Sequence, residues 1–132
     1  MNKIIFFILL VLIIVPSFSY AINQKIESAN IEITVEEAKN LLTKKQYIFI
    51  DVREESEYKE GHIPEIKLIS LSKIQSKLPE FDKQAKYITV CARGGRSLKA
   101  AKLMKDNGFD VLSMKGGMNA WKAMNYPVKS EP

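Results

Sequence analysis

Four short apolar runs, separated by helix-forming stretches, restrict this chain to an α/β layout before any other property is considered. Tyr47-Ile48-Phe49-Ile50-Asp51-Val52 and Tyr87-Ile88-Thr89-Val90 suit strands buried on both faces of a parallel sheet, where no face needs to be polar. Lys67 to Leu71 reads as a weaker strand and Val111-Leu112-Ser113-Met114 as the last. Between them the spacing predicts helices. Thr34 and Glu37 form a capping box ahead of Val35, Ala38, Leu41 and Leu42 on one face. Glu54 to Lys59 is a short acidic helix stopped by Gly61, and Ser72 to Leu78 is a helical piece ending at Pro79. Ser97 to Asn107 turns Leu98, Ala101 and Met104 inward and stops at Gly108. After Gly116-Gly117 a final helix carries Met118, Trp121 and Met124, with Trp121 read as core. Ligands of such sheets bind beyond the C-terminal ends of the strands, and Cys91 stands at one of those ends.

At 132 residues the chain holds one ordinary domain. A single Cys excludes an internal disulfide and a thiolate-rich zinc site, and a single His (His62) excludes a multi-histidine metal cage. No P-loop and no Gly-x-Ser-x-Gly elbow is found, so neither a metal nor a cofactor is expected. The net charge of +5 comes from 17 Lys and 3 Arg, and the lysines are scattered without a basic run or an aromatic platform. Such a distribution describes a solvated surface, and no nucleic-acid partner is expected.

Met1-Asn2-Lys3, the twelve apolar residues Ile4 to Val15, Pro16 and the small-residue stretch ending at Ala21 have the layout of a secretory signal peptide. Twelve apolar residues are too few for a membrane span, which needs about 20. The expected organisation is a signal peptide over 1–21, a flexible lead-in over 22–32 and a folded domain over 33–130. Membrane contact is expected only through the signal if it stays uncleaved. Export to a periplasm or beyond the cell puts the one thiol where unpaired cysteines are unusual, so it needs a chemical reason.

The segment Cys91-Ala92-Arg93-Gly94-Gly95-Arg96-Ser97 supplies one. It places two of the three arginines and two of the six glycines in seven residues. A strand–loop–helix junction with glycines can turn successive amides inward, and the helix opening at Ser97 adds partial positive charge. Arg93 and Arg96 add guanidinium forks. A thiol there loses its proton readily and becomes a thiolate nucleophile ringed by donors suited to a small anion. Asp51 and Arg53 read as a structural ion pair at a strand end, and His62 as a hydrogen-bonded structural residue in its Gly-His-Ile-Pro turn.

These residues resemble the single-domain rhodanese-like proteins. The likeness lies in Ile50-Asp51-Val52-Arg53-Glu54, Glu57-Tyr58 and Gly61-His62-Ile63-Pro64, in Val90 to Ser97, and in Gly108-Phe109, Val111, Gly116-Gly117, Ala120-Trp121 and Tyr126-Pro127-Val128. It implies a five-stranded, mainly parallel sheet flanked by helices on both faces, and it implies sulfurtransfer. Cys91 would attack a small anionic sulfur donor such as thiosulfate, hold a persulfide cradled by the amides of Ala92 to Arg96, and pass the sulfur to a thiol, a protein acceptor or cyanide. The alternative is a persulfide carrier or redox partner loaded by another protein. Phosphatases related to this fold separate Cys from Arg by five residues; four separate Cys91 from Arg96, a ring suited to sulfur. The chain departs from the family at Glu65-Ile66, where Gly-Ala is usual, at Ser70 for proline, at Asn125 for glycine, and at Ala92, where a larger polar residue is common.

Overall fold

The structure, a computed structural model, describes residues 3, 16, 18–23 and 31–132. The chain divides into two compact units, Met1–Asn30 and Ile31–Pro132. The described residues of the first are helical, while the apolar run Ile4–Val15 and residues 24–30 of the expected lead-in lie outside the described residues. No helix among the described residues is long and apolar enough to cross a membrane.

The second unit runs β1 (Glu32–Ile33), α1 (Val35–Thr43), β2 (Ile48–Asp51), α2 (Glu55–Glu60), β3 (Lys67–Leu68), α3 (Leu71–Lys77), β4 (Lys86–Val90), α4 (Gly95–Asp106), β5 (Asp110–Met114) and α5 (Gly117–Ala123), with a 3-10 turn at Leu78–Glu80. The sheet order is β1-β5-β4-β2-β3, and every pairing is parallel. Ile31 and Glu32, at the end of the segment read as lead-in, belong to this unit: Ile31 is buried and Glu32 pairs with Ser113. The strand expected over Lys67 to Leu71 shortens to two residues because Leu71, whose amide donates to the Val52 carbonyl, already opens α3.

Strand alternation sorts the core into two halves. Phe49, Ile88 and Val90 face Val35 and Ala38 of α1 and Met118 and Trp121 of α5. Ile50, Tyr87 and Val111 face Ile74 of α3 and Ala100, Ala101 and Met104 of α4. Leu98 is only half-buried on α4, whereas Ser97 is fully covered, because α4 begins at Gly95 and its inner face is set from that start. Met124 is exposed, since α5 ends at Ala123 and the chain turns through Asn125 at φ 54°. Trp121 is fully buried, with its indole N–H donating to the Pro127 carbonyl at 2.9 Å.

Candidate active site

β4 delivers Cys91 to the C-terminal edge of the sheet, where the residue is 2% exposed. The chain then needs a reversal tight enough to start a helix four residues later. Gly94 makes it by adopting φ +105°, a left-handed conformation that a side chain would strain. Gly95 and Arg96 therefore already lie in α4, two residues before the start expected at Ser97, and the Leu98 amide donates to the Gly94 carbonyl at 3.1 Å. This geometry folds the loop over the sulfur. The Gly94 amide donates to Cys91 Sγ at 3.1 Å, and Ser97 Oγ lies 3.4 Å from it. Burial pushes the Cys91 thiol up, but hydrogen bonds from the Ser97 hydroxyl and from the amides of Ser97, Gly94 and Arg93 outweigh it and hold the thiol below its ordinary value.

Two neighbouring elements keep the loop in this shape. The amides of Met118 and Asn119, at the start of α5, donate to the Cys91 and Ala92 carbonyls at 2.8 and 3.0 Å. With those carbonyls held outward, the following amides turn toward the sulfur. Gly116 and Gly117 permit the approach with φ of 79° and 57°. From the sheet side, Thr89 Oγ1 donates to the Ser97 carbonyl at 2.8 Å, and Ser113 Oγ donates to Ser97 Oγ at 2.9 Å. Ser113 thus fills an acceptor position on Ser97, whose one proton can turn to the Gly94 carbonyl at 3.1 Å or to the sulfur.

The arginines diverge. Arg93 is exposed on the loop, with no hydrogen bond or ion pair shown for its side chain among the described residues. The Arg96 fork is engaged by a residue the sequence reading did not assign to the site: Nη1 and Nη2 donate to Glu57 Oε2 and Oε1, both at 2.7 Å. Glu57 Oε2 also accepts the Glu54 amide at 3.0 Å. The Arg96 fork, then desolvation in the opposite sense, then the Glu54 amide set the Glu57 carboxyl at about 2, well below the usual carboxylate range. Glu57, Cys91, Ala92, Arg93, Gly95 and Arg96 together line an open cavity of about 420 Å³.

Asp51 and Arg53 form a buried pair outside the cavity lining. Arg53 Nη2 lies 2.7 Å from Asp51 Oδ2 and also donates to the Gly61 carbonyl at 2.8 Å. His62 is buried and stacked on Tyr58 at 3.7 Å between centroids, and its Nδ1 donates to the Tyr58 carbonyl at 2.8 Å. Its backbone bridges to Lys129, so its contacts run to α2 and the C-terminal tail. Neither Ser113 nor Thr89 was singled out from sequence, although a hydroxyl inside a buried apolar strand signals a partner that must satisfy it. Glu57 carried a weaker signal, the third position of a helix start rich in carboxylates.

The rhodanese-like domain family matches residues 34–124. Thiosulfate sulfurtransferase GlpE of Pseudoalteromonas translucida (strain TAC 125) is 35% identical over 100 residues, covering 75% of this chain and 94% of that protein. Among solved structures, a rhodanese-like domain protein from Staphylococcus aureus is 41% identical with a TM-score of 0.64, covering 68% of this chain and 89% of its own. A rhodanese-related protein from Thermoplasma volcanium superposes with a TM-score of 0.70 at 28% identity, covering 74% and 96%. The matched span takes in four of the five parallel strands, β2 to β5, the glycine-turned loop after Cys91 and the α5 amides that brace it, and on that extent of agreement the chain belongs to the rhodanese-like domain family.

Proposed function

We propose that this protein is a rhodanese-type sulfurtransferase that moves sulfane sulfur through a persulfide on Cys91. One observation carries the reading: a buried Sγ with the Gly94 amide at 3.1 Å and the Ser97 hydroxyl at 3.4 Å, its thiol held below the ordinary value by those donors. The names of relatives such as the P. translucida thiosulfate sulfurtransferase support it.

In the first half-reaction the Cys91 thiolate attacks the outer sulfur of thiosulfate or a related donor. A new S–S bond forms, the donor's own S–S bond breaks, and its electron pair leaves with sulfite. The amides that stabilise the thiolate then face the persulfide, whose charge is spread over two sulfurs. In the second half-reaction an acceptor thiolate or cyanide attacks the outer sulfur, and Cys91 departs as the thiolate. Met1 to Ala21 have the layout of an export signal, and we place the reaction outside the cytoplasm on that basis.

Mature protein incubated with thiosulfate and cyanide should form thiocyanate, and Cys91→Ser should abolish it. Thiosulfate alone should add about 32 Da, one sulfur, to the intact mass. A mass gain without turnover would assign the chain to sulfur carriage for another protein, and no gain with thiosulfate, polysulfide or mercaptopyruvate would refute the persulfide.

A further inference from the structure

The charges around the cavity mouth fit poorly with a dianion. Arg96 would be the natural partner of an anionic donor, but both of its outer nitrogens are engaged by Glu57 at 2.7 Å. Glu57 is itself fixed in place by the Glu54 amide at 3.0 Å, so the fork is held from both ends. That leaves the exposed Arg93 as the guanidinium of the lining without a carboxylate partner. With Cys91 ionised, the side-chain charges of the lining sum to zero: Arg93 and Arg96 against Glu57 and the thiolate. A donor arriving with two negative charges meets no net attraction from the lining, and the Glu57 carboxylate repels it directly.

We propose that Glu57 is a specificity-determining residue that biases the site toward singly charged sulfane donors, of the thiosulfonate or persulfide type, over dianionic thiosulfate. The inference rests on the sulfur-transfer reading above and names its donor class. With a thiosulfonate RSO2S⁻ the balance is unchanged: the thiolate attacks the terminal sulfur, the S–S bond to the sulfonyl group breaks, and a sulfinate leaves with the electron pair.

Methanethiosulfonate and thiosulfate make a matched pair of probes, since a methyl group in one replaces a charged oxygen in the other. kcat/KM for each would be measured with cyanide as acceptor and divided by the rate of the same donor with cyanide in the absence of protein. The native enzyme should favour methanethiosulfonate on this normalised scale. Glu57→Gln removes the charge and should move the ratio toward thiosulfate by about fivefold, the effect of one unit charge at contact distance in water. Glu57→Asp keeps the charge and should restore the native ratio, which a merely structural role for the side chain would not predict. A normalised preference for thiosulfate in the native enzyme overturns the proposal, and that measurement needs no variant. A ratio unmoved by Glu57→Gln in a folded protein overturns it as well. Turnover of neither donor, with no sulfur on Cys91, would instead refute the sulfur-transfer reading itself.

Discussion

Replacing Gly117 with alanine should damage the fold and the loop together, for a reason that can be worked from two short distances. A Cβ on Gly117 would lie 2.6 Å from the Ala92 carbonyl carbon and 2.7 Å from its oxygen, and closer still to the Cys91 carbonyl oxygen. Those are backbone atoms, so no side chain can rotate away. The residue also sits at φ +57°, where an L side chain costs about 1–2 kcal/mol on its own. Relieving the clash requires the start of α5 to withdraw from the loop, at an overpacking cost of about 1–3 kcal/mol. It also stretches the bonds from Met118 and Asn119 to the Cys91 and Ala92 carbonyls. The sum is about 2–5 kcal/mol. In a folded unit of this size each kcal/mol shifts Tm by about 4–8 °C, so Gly117→Ala should melt at least about 8 °C lower. Gly95→Ala is the matched control for stability, because a Cβ there meets nothing within 4 Å in the first turn of α4. It should leave Tm unchanged or raise it, alanine being the better helix former. Calorimetric scans of both variants decide the matter. Equal Tm values for Gly117→Ala and the native protein would refute the claim that α5 braces the loop through close backbone contact.

Three further outcomes follow from the polar contacts of the folded unit. Ser97→Ala removes the hydroxyl that leads the donors to Cys91, so the pH midpoint of iodoacetamide alkylation should lie below that of an ordinary cysteine in the native protein and move upward in the variant; an unmoved midpoint would refute the role of Ser97. Because the folded thiol ionises below its unfolded value, its stabilising contribution is fully present above the unfolded value and is lost as pH falls through the folded one, which urea titrations across that window should register. Asp51→Asn leaves Arg53, 5% exposed at its side chain, without its counter-charge, and should destabilise by about 3–5 kcal/mol in urea unfolding; a loss below about 1 kcal/mol would mean the pair is solvated.

The strands and the reactive loop were legible because their signals are local. An apolar run followed by Cys and a Gly-Gly pair reports backbone burial and a left-handed turn without any knowledge of the partner segments. The expected Asp51–Arg53 pair and the hydrogen-bonded His62 are found, their partners lying within a few residues of each other. What the sequence hid is long-range. Glu57 and Arg96 are 39 positions apart, and Ser113 and Ser97 are 16 apart. Their meeting depends on the sheet order β5-β4-β2, which no local spacing encodes. The start of α4 was misplaced because Gly94 and Gly95 read alike in sequence, while one is the left-handed cap and the other the first helical residue. Glu65 at φ +67° fills a position better suited to glycine, so the turn after Pro64 holds its shape against the residue's preference.

A cysteine that is 2% exposed would make an unusual nucleophile, and on the proposed mechanism the persulfide resolves the difficulty. Burial opposes ionisation, and the loop amides and Ser97 outweigh it in holding the thiol below its ordinary value; an open site would need fewer donors but would expose the sulfur to oxidants. Access is then limited to a slim donor whose terminal sulfur can enter the cavity. On that mechanism a transferred sulfur would extend the side chain by one S–S bond, about 2.05 Å, toward the cavity that Cys91 lines with Ala92, Arg93 and Gly95. A bulky acceptor that could never touch Sγ can therefore attack the outer sulfur. The same burial that would select the donor would then leave the choice of acceptor to the surface of the loop, where Arg93 is the exposed charge.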